Sequence, residues 1–458
     1  VSAARTWLRP PAVWQIAVAA GVVLGIAYTL SPLTVWASCA FAVLVWRIGE
    51  GLPEPERKRV RAILIAAILI RVVAIGGVWF TTDHTRVPFA SFFGDEEYFI
   101  RRATWLRNVA LGIPIHSADL IYAFDDYSYT HYLYVIAFVE ALVGFAPYGL
   151  KIISAAMYLG GAVILFRLAR RAYGSGTALA GLLVVLFLPS LFAWSIATLK
   201  EPPYFLVGAL ACSVAVTTMR TESTARRIAG MLFLVLAAGL LQSIRDGGLI
   251  IAVIGLGGGM LMGWLARRPW AAVAFAVVVP IAVFGMFSRP AVQLRAMQEV
   301  RRAAKLHWGH VNTPGYSFKS LDPEFYPERS SIDSMSRGAT GRYLVRSAVE
   351  YMTVPRPWTI ESRAALAFVP ELMFWYCILA LLPFGLVVAL RRDALVTMVL
   401  GAYAFALAAL VAVTGGNIGT LVRHRGLALP YLIWLSAAGA DELLVRMGWK
   451  AEKGVAWP

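Results

Sequence analysis

The chain has 458 residues, 59% of them hydrophobic and 15% charged, with a formal net charge of +16. Soluble domains carry nearer a quarter charged residues, so this composition excludes a string of soluble domains and points to a polytopic membrane protein. The basic excess does not mark a nucleic-acid-binding surface, because Lys and Arg come as dispersed pairs between apolar runs, which is the pattern of topology signals.

Apolar stretches long enough to cross ~30 Å of hydrocarbon as a helix recur about twelve times. They run continuously and lack the alternation of a membrane barrel. The expected fold class is therefore an all-α polytopic membrane protein with about 12 transmembrane helices. Ala12 to Tyr28 reads as the first membrane helix rather than a cleaved signal, and Leu33 to Trp46 as the second, after the turn Ser31-Pro32. Arg57, Lys58, Arg59 and Arg61 place the next loop in the cytoplasm. The third helix, Ala62 to Phe80, then runs outward and carries Arg71 at mid-helix, where a charge is costly and a structural partner is the favoured explanation.

Thr81 to Tyr129 reads as an outer loop with short interfacial helices, containing Asp83, His84, Gly94-Asp95-Glu96-Glu97-Tyr98 and Asp125-Asp126-Tyr127-Ser128-Tyr129. His131 to Phe145 is apolar but short and holds Glu140, so it fits either a span or a re-entrant segment. The re-entrant reading lets Leu150 to Phe166 run inward and leaves Arg167, Arg170 and Arg171 in the cytoplasm. Further spans follow in alternating register: Thr177 to Leu199, Pro203 to Thr218, Ile228 to Ser243, one ending at Arg267-Arg268, then Trp270 to Phe287, Ala367 to Leu390, Leu395 to Val413 and Leu427 to Leu444. The C-terminus, with Arg446, Lys450 and Lys453, returns to the cytoplasm, as does the N-terminus. Ser288 to Arg363 is the long polar segment and is expected to form a small extracytoplasmic domain. The expected organisation is residues 1–287 as a transmembrane module with an outer loop at 81–149, 288–365 as the small domain, and 366–458 as the last spans with an outer basic motif at 415–425.

Cys39, Cys212 and Cys377 fall in predicted helices without CxxC spacing, which argues against a disulfide framework or a metal site. His307 and His310 have helical spacing but no third ligand, and Tyr316, Phe318, Phe325, Tyr326 and Trp358 are read as core before sugar-stacking surface.

This topology gathers Asp95, Glu96, Glu97, Lys200, Glu201, Arg245, Asp246, Arg423, His424 and Arg425 on one face. Clustered carboxylates can supply a base, since one raises another's pKa, whereas Arg forks and Lys suit a phosphate. In Gly415-Gly416-Asn417-Ile418-Gly419-Thr420-Leu421-Val422-Arg423-His424-Arg425, glycines followed by Arg-His-Arg just before a helix would let backbone and guanidiniums approach an anion. The competing structural readings are a solvated acidic helix, a snorkelling Lys200 paired with Glu201, and headgroup anchoring by the late arginines.

In the order of these features the chain resembles the GT-C superfamily, integral membrane glycosyltransferases that use polyprenyl-phosphate-linked sugars, such as protein O-mannosyltransferases and aminoarabinose transferases. Asp95-Glu96 looks like that family's Asp-Glu pair, Lys200-Glu201 falls where a second acidic residue is often found, and Arg423-His424-Arg425 looks like its late phosphate-binding motif. Pro355-Arg356-Pro357-Trp358 through Pro370-Glu371, with Gly416-Asn417 and Arg423, also looks like membrane proteins of bacterial polysaccharide gene clusters. The helices Ala12 to Tyr28 and Leu33 to Trp46 precede the helix that leads into the acidic loop, where many family members have one.

The resemblance implies an inverting transfer at the extracytoplasmic face of the bacterial inner membrane. Asp95 is then the base and Glu96 its partner. Lys200, Arg245, Arg423, His424 and Arg425 bind the donor phosphate, with Glu97, Tyr98, Glu201 and Asn417 in support. A divalent cation, magnesium or manganese, held by Glu96 or Glu97 would share the leaving-group charge. The expected partners are a polyprenyl-phosphate-sugar donor, a glycan, lipid or protein acceptor, and membrane lipids. A polysaccharide polymerase or O-antigen ligase would instead depend on late arginines and histidines, and a lipid-linked sugar flippase would show internal repeats and midplane charges.

Overall fold

The computed structural model describes residues 13–125, 130–359, 366 and 368–448. Asp126 to Tyr129, the predicted start of a span at Ala367, Lys450 and Lys453 lie outside the described residues. Continuous apolar runs in lipid must satisfy their own backbone groups, and the regular structure among the described residues is helical apart from one isolated antiparallel bridge, Ser317 to Asn417.

In chain order the helices are α1 (Val13–Leu30), α2 (Pro32–Ile48), α3 (Glu54–Thr81), α4 (Gly94–Ala110), α5 (Ser117–Ala123), α6 (Tyr132–Val143), α7 (Pro147–Tyr173), α8 (Ser175–Phe187), α9 (Pro189–Ser195), α10 (Glu201–Arg220) and α11 (Thr224–Ile244). They continue with α12 (Gly248–Ile251), joined by a π-turn to α13 (Gly258–Leu265), then α14 (Pro269–Phe287), α15 (Pro290–Val311), α16 (Arg337–Thr353), α17 (Val369–Arg392), α18 (Ala394–Thr414) and α19 (Ile418–Arg446).

Among the described residues, nine helices are long and apolar enough to cross a membrane, or ten if the bent pair α8 and α9 is one span. The chain is thus an all-helical, multi-pass membrane protein. The expected spans Ala12 to Tyr28 and Leu33 to Trp46 correspond to α1 and α2, apolar helices of 18 and 17 residues.

Several boundaries differ from expectation for local reasons. The predicted loop at Glu54 to Arg61 is the first two turns of α3, opened by Pro55 and with Glu54 and Glu56 at the positive end of the helix dipole. The predicted span Thr177 to Leu199 is broken: Leu188 is extended because it precedes Pro189, and the two halves meet at 63°. The basic triplet Arg423-His424-Arg425 lies inside α19 and not ahead of it, because Asn417 caps the helix there, its side-chain oxygen accepting from the Gly419 and Thr420 N–H groups.

The chain divides into two compact units, Val1–Leu159 with Ala193–Pro202, and Gly160–Phe192 with Pro203–Pro458. In the first unit, α4 packs on α6 through a core that includes Phe99, Ala103, Leu106, Leu133, Ile136 and Ala137, and Ala197 and Leu199 join it from the returning segment. At 12 residues, α6 rises about 18 Å, too little to cross ~30 Å of hydrocarbon. It ends at Gly144, whose φ of 80° is a left-handed conformation natural to glycine.

In the second unit, α19 is buried on nearly every face from Leu427 to Gly439. It crosses α17 where Gly385 meets Gly439: a Cβ on Gly439 would stand 2.9 Å from the Gly385 Cα, and one on Gly385 would overlap the Leu435 carbonyl. Small residues at the crossing let the two backbones touch. Residues 290–353 have a small core of their own, Ala304, Leu321, Phe325, Ile332, Met335, Ala339 and Tyr343, with Val413 of α18 packed against it. Polar ties complete that attachment: His307 Nδ1 bonds the Gly415 carbonyl, His310 Nδ1 the Thr414 carbonyl at 2.7 Å, and the Tyr343 hydroxyl the Val413 carbonyl. Of the aromatic residues read as core, Phe325 is buried and Tyr326 packs beside it, whereas Tyr316 and Trp358 are exposed.

Candidate functional site

The first unit contains a cluster built around a stretch of chain with no regular structure. Residues 196–200, between α9 and α10, are non-helical, and 196–199 are buried. Backbone of this kind needs protein partners, because lipid offers none. Glu96 is one such partner. Its carboxylate, fully buried, accepts from the Thr198 N–H at 2.7 Å, the Phe92 N–H at 3.3 Å and the Lys151 ammonium of α7. Lys151 is buried too and sits 5.5 Å over the Phe92 ring. Arg71 of α3 holds the end of α9 just ahead of this stretch: its Nε donates to the Ser195 hydroxyl at 2.8 Å, its Nη1 to the Ala67 carbonyl at 3.1 Å, and it lies 5.6 Å over the Tyr158 ring. The structural reading of Arg71 is the one its contacts support.

Glu96 therefore faces inward, and its neighbours divide by helix geometry. Asp95, about 100° around α4, is exposed at the first turn. Glu97 is exposed and pairs with Arg101 one turn on. Tyr98 is half-buried and accepts from Arg102 at 2.8 Å. Lys200 Nζ stands 5.6 Å over the ring of Phe99, one turn beyond Asp95 on the same helix, and Glu201 is buried at the start of α10. Burial pushes the Tyr132 phenol above its ordinary range, opposed by the Ser154 hydroxyl, with the negative charges of Glu201 and Glu96 adding to the rise. Tyr132 is thus a neutral phenol beside two carboxylates. The unit presents an exposed carboxylate on a helix turn fixed by a buried ion pair, with an ammonium close along the helix. Such an arrangement can accept a proton and stabilise nearby negative charge.

The remaining predicted residues belong to the second unit. Arg245 is the C-cap of α11, half-buried, and its charge is felt by the Tyr204 phenol. Arg423 and His424 are neighbours in α19, with Arg423 Nη2 and His424 Nε2 at 3.3 Å. Arg425 is buried and serves as a brace: Nη2 donates to the Val354 carbonyl at 2.6 Å and to that of Tyr351, while the guanidinium lies 4.6 Å from the Trp375 ring centre. Asn417 spends its side-chain oxygen on the cap of α19.

Glu96 and Glu97 do not fit a shared divalent cation. Both oxygens of Glu96 are engaged by N–H donors and Glu97 is turned to Arg101. Among the described residues, no three His, Cys, Asp or Glu side chains come together as a ligand set.

No family model, curated protein or solved structure matches the chain. The residues that sequence reasoning missed are Lys151, Thr198, Tyr132 and Ser154. Lys151 carried a signal: it is a lone charge at the start of an apolar helix, and intramembrane charges have partners.

Proposed function

We propose that the chain is a membrane glycosyltransferase that moves a sugar from a polyprenyl-phosphate-linked donor to an acceptor hydroxyl, with inversion, Asp95 being the base. The observation that carries this reading is the first turn of α4, where the buried pair Glu96–Lys151 locks the helix and leaves Asp95 exposed. Asp95 takes the proton of the acceptor hydroxyl as its oxygen bonds to the anomeric carbon. The bond from that carbon to the donor phosphate oxygen breaks, and polyprenyl phosphate leaves with the electron pair. Lys200 lies in the same unit and supports the developing charge. Glu96 acts by positioning, through Lys151 and the Thr198 backbone, and no step is routed through a metal ion. Donor-phosphate binding by Arg245, Arg423 and His424 is proposed as a property of the second unit, and Arg425 is the brace that holds α19. The extracytoplasmic location of the reaction and the inner-membrane setting belong to the same proposal.

The test is transfer of radiolabelled sugar from polyprenyl-phosphate donors by the purified protein. Asp95→Asn is expected to lower transfer by roughly 10²–10⁴-fold with donor binding retained. Arg423→Ala is expected to weaken donor binding. Full activity in Asp95→Asn removes the base and favours the polymerase or ligase alternative, in which late arginines and histidines are essential.

A further inference from the structure

Helix α15 carries a charged pocket that the proposed reaction does not use. A cavity of about 350 Å³ is lined by Gln298, Arg301, Arg302 and Lys305 of α15 and by Asp333 of the 3-10 turn Arg329–Ser334. Positions 298, 301, 302 and 305 fall on one face of a helix, so three cations converge within two turns and repel one another. Their neutralisation is incomplete. Arg302 pairs at 2.9 Å with Glu299, an exposed contact worth little in water, and Lys305 pairs at 2.7 Å with Asp333. Arg301 gives Nη2 to the Met335 carbonyl at 2.8 Å, which fixes the guanidinium plane without neutralising it. Its Nε is buried and has no hydrogen-bond partner among the described residues. A guanidinium held in place, beside a second guanidinium and an ammonium, is the donor set that phosphate oxygens take. The volume exceeds that of a phosphate alone and leaves space for the group it is esterified to.

We infer that the α15 pocket is a binding site for a phosphoryl group, with Arg301 and Arg302 as the fork and Lys305 as the point charge. The phosphoryl group has two possible sources, a free or glycan-borne phosphate and an anionic lipid headgroup. The site stands on these residues alone and does not depend on the glycosyltransferase reading.

The experiment uses the full chain in nanodiscs of zwitterionic lipid at ~150 mM salt, where exposed, non-specific charge is largely screened. Inorganic phosphate is titrated and followed by broadening of its phosphorus NMR line. In parallel, nanodiscs containing phosphatidylglycerol are examined by native mass spectrometry for retained lipid. Arg301→Gln and Arg302→Gln are each expected to weaken binding roughly tenfold or more, the loss of one charge-assisted contact. Lys319→Ala, a cation outside the pocket that lies over Tyr326, is expected to leave it unchanged. Loss of phosphate broadening in the two pocket variants establishes the site for free phosphate, and loss of lipid retention alone assigns it to a headgroup. Equal effects of Lys319→Ala, or no effect of the pocket variants in either arm, overturns the proposal. Both pocket variants keep the helix and its core, and an unchanged thermal transition confirms this before binding is compared.

Discussion

Replacing Lys151 by methionine keeps most of the side chain's volume and removes its charge, which leaves the Glu96 carboxylate buried with two backbone N–H donors, Thr198 at 2.7 Å and Phe92 at 3.3 Å. Removing one partner of a buried pair costs about 3–5 kcal/mol, because the other charge is stranded out of water. The two remaining N–H groups already contribute in the native protein, so they do not offset this cost. The expected loss for Lys151→Met is therefore about 3 kcal/mol or more. Glu96→Gln is expected to cost a similar amount, since it strands Lys151. The double variant removes both charges and keeps an acceptor for Thr198, so its loss should fall short of the sum by about 2 kcal/mol. Reversible unfolding of the full chain in mixed detergent–SDS micelles measures all three. If the proposed transfer is right, Lys151→Met should lower kcat more than it raises KM, because the proposed base, Asp95, is misplaced while the proposed donor-binding groups are untouched. A Lys151→Met protein within about 0.5 kcal/mol of wild type, or a strictly additive double variant, refutes the claim that this pair fixes the first turn of α4.

Three further outcomes are expected. Burial lowers the His307 pKa from 6.5 to about 4, against the pull of the Gly415 carbonyl and with His310 adding to the fall. The unfolded chain then binds more protons than the folded one between those values, so stability is complete above pH ~6.5 and is lost as pH falls toward 4, by about 3 kcal/mol for this group. His307→Gln, which does not titrate, should flatten that part of a pH-resolved unfolding profile, and an unchanged slope would sink the assignment. Asn417→Ala removes the cap of α19 and should cost about 1 kcal/mol, with Asn417→Asp close to neutral, as judged by the same unfolding assay. Gly385→Leu forces α17 and α19 apart and should cost more than the 1–3 kcal/mol typical of an overpacked core, because the obstacle is backbone; a wild-type transition in that variant would show the crossing to be loose.

The spans were readable because an apolar run in lipid has few choices: Leu395 to Val413 became α18 with a single residue added at each end, and Ala62 to Phe80 became α3, which begins two turns earlier at Glu54. The breaks were less readable. Pro189 in the middle of Thr177 to Leu199 announced an interruption, but its consequence, a bent pair followed by buried irregular chain, depends on partners elsewhere. Those partners are remote in sequence: Ser195 lies 124 residues from Arg71, and Thr198 lies 102 from Glu96. Arg71 and Glu140 stood out as charges inside apolar stretches. Glu140 is bonded to Thr104 at 2.9 Å across the α4–α6 contact. The basic triplet showed the opposite problem. Its composition suggested a single anion clamp, yet successive helical positions face different ways, and Arg425 is spent on the Tyr351 and Val354 carbonyls.

The irregular chain at 196–200 sets an order of events for biogenesis. The Thr198 N–H finds its partner on α4, the Glu96 carboxylate that Lys151 of α7 holds, and the Ser195 hydroxyl at the end of α9 finds Arg71 of α3; all three helices are synthesised before it. Vectorial synthesis thus delivers the receptacle first and the segment that needs it afterwards. A ribosome pausing near residue 200 would hold a nascent chain whose earlier helices can already assemble, whereas a circular permutant that opens with α10 and ends with α9 would keep that order. A permutant that places 193–202 ahead of α3 would reverse it, leaving the insertion machinery to shelter unsatisfied backbone until the rest of its binding cleft arrived.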